Sequence, residues 1–161
     1  MESVRVLTER TTAIRLEGDV ARVFPLFGPL REREWAEGWN PRVVWPTNKV
    51  IQERMVFLVR SPHGDGRDTM WVVSRYDEDQ AVIEYTVFEP ERVHWILIRC
   101  RPAEDGKGTR ATVTYTYAGT SEPACHRNAR ALATMYRNDL KDWESAINHY
   151  LRTGKRLSHQ A

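Results

Sequence analysis

Five histidines, six tyrosines and a scatter of carboxylates are the side chains of this 161-residue chain that could move protons. His94 stands in a stretch where Arg99 and Arg101 argue for an outward parity, which turns His94, Ile96, Ile98 and Cys100 inward and leaves Trp95 outside. A histidine so placed is a hydrogen-bonded core residue on the plainer reading and a general base on the sharper one. Asp139 follows Tyr136 by three residues and precedes Trp143 by four, so it borders an apolar helical stripe. At an edge it would pair with an arginine; facing a cavity, its pKa would rise and it could serve as acid or base. His63 falls in a turn and reads as a solvated loop residue. There is no nucleophile elbow, no Gly-rich phosphate loop and no zinc-ligand pair. The expectation is therefore chemistry, if any, without metal or organic cofactor. Cys100 and Cys125 make no metal or redox motif and read as small buried hydrophobes.

These residues need a scaffold, and the stretch 122–153 is its centre. Cys125, Ala129, Leu132, Tyr136, Leu140, Trp143, Ile147 and Tyr150 recur at steps of three and four, one stripe down a helix. Arg127, Arg130, Arg137, Lys141 and Glu144 fall opposite. Ser121 is placed to cap the start, Pro123 suits a first turn, and Gly154 can end the helix. Such a helix is on the order of 45 Å long and needs a broad apolar surface to cover its stripe.

The preceding chain supplies that surface. Residues 3–17 read as a first strand, with Val4, Val6, Ile14 and Leu16 on one face. Thr8, Arg10 and Thr12 interrupt that face, which points to a bulge or a strand edge before a polar patch in a cavity. Asp19 caps a brief helix over Val20 to Phe27 that Pro25 keeps short, and a second short helix runs from Gly28 and Pro29 to a stop at Gly38. Residues 41–47 are extended, and strands are expected at about 50–60, 68–77, 80–89, 92–102 and 109–119. Turn residues join them at His63-Gly64-Asp65-Gly66, Asp77-Glu78-Asp79, Glu89-Pro90 and Asp105-Gly106-Lys107-Gly108. Strands in succession with short turns mean an antiparallel meander. The fold class is α+β: a curved antiparallel sheet wrapped around a long C-terminal helix, one domain over 1–161.

Composition excludes several partners. The net charge is +2, with basic and acidic residues interspersed, so no nucleic-acid footprint is expected. No apolar run is long enough for a membrane span and no basic-then-apolar leader is seen, so a cytoplasmic protein, monomer or homodimer, is expected.

The order of these elements, with particular residues at each station, resembles the START-like superfamily, also called SRPBCC or Bet v 1-like. The resemblance rests on Val23-Phe24-Pro25-Leu26-Phe27, Glu34-Trp35-Ala36-Glu37-Gly38-Trp39-Asn40-Pro41, Phe57, Pro62-His63-Gly64 and Trp71-Val72-Val73 with Arg75-Tyr76-Asp77. It continues through Ile83-Glu84-Tyr85, Thr109 to Tyr115, Trp143-Glu144 and Asn148-His149-Tyr150-Leu151. It implies a helix-grip fold with a hydrophobic cavity between sheet and long helix. It does not imply one activity: such proteins bind lipids, hormones or polyketides, some catalyse cyclisation or dehydration, and others assist a chaperone.

Two readings of the rings follow: they fill a solid core, or they line a pocket whose wet interior satisfies the tyrosine hydroxyls. We expect a pocket lined by Trp35, Trp39, Phe57, Trp71, Tyr85, His94, Tyr115, Tyr117, Leu132, Tyr136, Asp139 and Leu140. The expected function is binding of an apolar or aromatic, lipid- or polyketide-like small molecule. A cyclase or dehydratase using His94, Asp139 or a pocket tyrosine is one alternative. A chaperone-assisting interaction module, marked by exposed Trp95 and Leu97, is another.

Overall fold

The computed structural model describes residues 6–60 and 66–158. The first residues of the expected opening strand, including Val4, and the Pro62-His63-Gly64 turn lie outside the described residues. Seven strands follow the alternation of the sequence: β1 (Leu7–Leu16), β2 (Arg42–Trp45), β3 (Val56–Arg60), β4 (Asp68–Asp77), β5 (Val82–Phe88), β6 (Arg92–Pro102) and β7 (Thr109–Gly119). They form one antiparallel sheet in the order β1-β7-β6-β5-β4-β3-β2. The sheet is curved and grips the C-terminal helical region, the helix-grip arrangement. Along β6 and β7 burial alternates strictly, so His94, Ile96, Ile98 and Cys100 of β6 and Ala111, Val113, Tyr115 and Tyr117 of β7 face the helix side. Trp95 lies on the outer face between Thr86 and Thr116 and is half-buried there.

The first strand has no bulge: its register against β7 runs unbroken from Leu7↔Ala118 to Leu16↔Thr109. It is an edge strand, and its polar break has a specific use. Arg10 donates from Nη1 to the carbonyl of Ala133 at 2.7 Å, at the end of the first C-terminal helix. The expected strand over 50–60 starts only at Val56, because Arg54 takes a positive φ of 72° in the turn before it.

Between β1 and β2 lies a lip of short turns. Asp19 caps α1 (Val20–Val23), accepting from the Arg22 amide at 2.9 Å. Two 3₁₀ turns follow, Phe24–Phe27 and Arg31–Glu34. Phe24, Leu26 and Phe27 are buried, and Pro25, in the first turn, has no amide to continue an α-helix. Two indole donors pin the lip to itself: Trp35 Nε1 to the Leu26 carbonyl and Trp39 Nε1 to the Pro29 carbonyl, each at 2.7 Å. Tyr150 donates to Glu34 at 2.6 Å, tying the lip to the last helix.

The C-terminal region corrects the expectation of one uninterrupted helix. Helix α2 (Glu122–Ala133) is capped by Ser121, which accepts from the Ala124 amide at 3.2 Å. It ends at Thr134, where φ is −123° and ψ is 21°. A wide π turn, Tyr136–Leu140, leads into α3 (Lys141–Thr153). Gly154, at φ +70°, stops α3 in the left-handed conformation that a side chain disfavours. The interruption rotates the apolar face of α2 relative to α3. Asn128 and Met135 are buried, whereas Ala129 and Tyr136 point outward. Tyr136, 38 % exposed, instead donates to Glu144 at 3.2 Å. Downstream, Leu140, Ala146, Ile147 and Leu151 are buried and Trp143 half-buried.

Candidate ligand-binding site

A cavity of about 290 Å³ opens between the lip, the sheet and α3. Trp35, Ala36 and Trp39 come from the lip, Trp71 from β4, Tyr85 from β5, Ile96 and Ile98 from β6, and Trp143 and Ala146 from α3, with Leu157 beyond. The rings hold one another edge to face. Trp39 and Trp71 stand with centroids 5.3 Å apart, Trp71 and Tyr85 5.7 Å, and Trp35 and Trp143 6.2 Å. Phe57 packs behind Trp71 and Tyr85, at 5.7 and 5.9 Å. The Tyr85 hydroxyl donates to the Phe27 carbonyl at 2.5 Å, a contact that orients both the ring and the lip. Burial, then the carboxyl of Glu32 and the hydroxyl of Tyr76, hold the Tyr85 phenol well above its usual range.

Three carboxylates also line this space: Glu32, Glu37 and Asp142. Glu32 is half-buried at the cavity, and burial pushes its carboxyl pKa well above the ordinary 4.5. Among the described residues nothing hydrogen-bonds or ion-pairs with the Glu32 carboxyl. Sequence reasoning missed it, because Arg31-Glu32-Arg33-Glu34 reads as a solvated charge run. The available signal was Trp35 three residues on: in a 3₁₀ turn residues i and i+3 eclipse, so Glu32 follows the tryptophan inward. Asp142 was likewise missed; it precedes Trp143 and lies four residues before Ala146, on the cavity side of α3.

The structure thus brings Trp35, Trp39, Trp71 and Tyr85 together around the cavity, with Phe57 as backing. It gathers His94, Tyr115 and Tyr117 behind that lining, with the Tyr115 ring edge-on to Trp143 at 6.3 Å. The His94 ring lies edge-on to both tyrosines, 4.8 and 4.3 Å between centroids, and Arg92 sits 4.0 Å over the Tyr117 ring. Burial, aided by Arg92, drives the His94 pKa down to about 3, and its Nε2 is buried without a partner among the described residues. So weak a base is poorly suited to proton abstraction near neutrality. Tyr117 is pushed up to about 12, chiefly by burial. Asp139 is exposed as a residue, yet desolvation raises its carboxyl against the opposing pull of Arg92. Leu132 and Leu140 are buried in the core, and neither lines the cavity.

A second hollow, of about 360 Å³, lies on the other side of the lip and includes Phe24, Ile51, Met55 and Tyr76. Nothing from α2 or α3 lines it, so it is not the space between sheet and helix. Among the described residues no group of three or more His, Cys, Asp or Glu is placed to hold a metal, and no helix is long and apolar enough to cross a membrane.

No family profile and no curated protein matches the chain. Solved structures do. The chain is similar to Ara h 8.0201 (14 % identity, TM-score 0.65, covering 91 % of this chain and 99 % of that one). It is similar to norcoclaurine synthase from Thalictrum flavum, solved with dopamine and hydroxybenzaldehyde (10 %, 0.64, 97 % and 90 %). A Staphylococcus aureus protein of unknown function aligns too (10 %, 0.67, 91 % and 97 %). The chain therefore has the Bet v 1-like helix-grip fold. At these identities the likeness speaks to fold alone, and the same fold is shared by Ara h 8.0201 and a synthase.

Proposed function

We propose that this protein binds a small, mostly apolar or aromatic molecule in the cavity between lip, sheet and α3. The observation that carries the reading is a space of about 290 Å³ left open among four tryptophans and Tyr85. A solid core would have closed it at interior density. The size, near the lower end for small-molecule sites, favours a compact ligand. The neutral dye N-phenyl-1-naphthylamine should bind saturably, one per chain, and Ala146→Trp, which fills the space, should abolish binding while the fold survives. Unsaturable binding, or equal binding by the Trp variant, would refute the reading.

A cofactor-independent cyclase or dehydratase is the second reading, and Glu32 with Asp142 is the observation in its favour. Two carboxyl groups lining one cavity, one of them raised in pKa by burial, are groups that can give and take protons there. Turnover of a polyketide-like substrate that Glu32→Gln abolishes without loss of binding would support it. The chaperone-assisting reading gains nothing from Trp95 and Leu97, which are half-buried on the outer face.

A further inference from the structure

The charge and surface of this cavity do not suit all apolar ligands equally. Its lining includes three carboxyl groups, Glu32, Glu37 and Asp142, and no lysine, arginine or histidine. Four indoles and a phenol supply π faces, which are negative and attract cations. Neighbouring carboxylates on the lip and α3 are engaged: Glu34 with Arg31 and Tyr150, Glu144 with the Arg15 amide and Tyr136. Glu32 is not, although two arginines flank it in sequence. The one hydroxyl on the cavity wall cannot serve it, because Tyr85 donates to the Phe27 carbonyl. An anion would meet negative faces and acids together. A purely apolar ligand would seal Glu32 away from water with nothing in exchange. A positive group answers both features at once.

We propose that the ligand of this cavity is an organic cation, an amine or quaternary ammonium on a small apolar or aromatic body, held against the tryptophan rings and countered by Glu32 and Asp142. The inference rests on the binding reading above and names its ligand class. Burial raises the pKa of the Glu32 carboxyl in the empty site, and a bound cation would pull it back down.

Two probes of one shape test it by calorimetry: phenyltrimethylammonium and its neutral carbon isostere, tert-butylbenzene. The cation should bind more tightly than the isostere. Glu32→Gln should weaken the cation about tenfold and leave tert-butylbenzene within about twofold, and Asp142→Asn should act in the same direction. Circular dichroism confirms that each variant is folded. If tert-butylbenzene binds and the cation does not bind better, the cation proposal falls and the apolar site stands. If the cation binds better but neither variant narrows the gap, the carboxylates are not its counter-charges and the proposal is overturned. If neither probe binds, the binding reading falls with it.

Discussion

Replacing Tyr85 by Phe removes a single oxygen from the wall of the cavity, and the structure sets what that should cost. The residue is 2 % exposed, and its ring is clamped between Phe57 and Trp71, so the Phe ring keeps its packing. What is lost is the 2.5 Å hydrogen bond to the Phe27 carbonyl. No other donor among the described residues reaches that carbonyl. An acceptor left buried and unpaired costs about 1–3 kcal/mol. Tyr85 borders a space large enough to admit water, and water there can partly satisfy the carbonyl, which places the expected loss at about 1–2 kcal/mol. For a chain of this size that lowers the Tm by roughly 2–8 °C. Urea unfolding followed by tryptophan fluorescence measures it, with an unchanged m-value showing that compactness is preserved. Tyr115→Phe is the internal control. Tyr115 is buried to a similar degree, at 3 % exposure, but its hydroxyl makes no hydrogen bond among the described residues. Equal losses in the two variants, or a loss below about 0.3 kcal/mol in Tyr85→Phe, would refute the claim that this bond holds the lip to the sheet.

Leu140→Ala, at a fully buried position where the π turn meets α3, should cost about 2–5 kcal/mol by chemical denaturation; an unchanged midpoint would contradict the helix-grip core. Glu32 should make stability depend on pH. An acid whose pKa is raised in the folded state favours folding most when protonated, so its contribution declines as pH climbs from about 4.5 towards the folded-state value. Glu32→Gln should therefore gain on wild type between pH 4.5 and 7.5 in paired urea titrations, and a gap constant with pH would exclude the raised pKa. Both cysteines are buried, and burial lifts the Cys100 thiol to about 12, so Ellman's reagent should label neither until the chain is unfolded. Gly108→Ala should be strongly destabilising, since φ is +83° and an added Cβ would stand 2.3 Å from the Leu16 carbonyl oxygen; a wild-type melting curve would show the turn can move.

Much of the fold was legible because it depends on periodicity. Alternation of two along 92–102 and 109–119 set which residues face inward, His94 and Tyr115 among them, and short turns made the sheet antiparallel. Ser121 and Gly154 marked both ends of the C-terminal helical region through local hydrogen bonding and a backbone angle, which neighbours in sequence suffice to specify. The helix break at Thr134 was not legible, because the Ala133 carbonyl at the helix end is satisfied by Arg10, 123 residues away. Past that break Tyr136 is exposed and Met135 is a core residue. The cavity has the same character. Trp35, Trp39, Trp71 and Tyr85 could be nominated as large rings on inward faces, but whether rings close a space or leave one open depends on volumes supplied by segments far apart in sequence. Glu32 shows the limit most directly. Its neighbours in sequence are charged and solvated, and only the packing of the lip against β5 and α3 puts its carboxyl at the cavity and raises its pKa.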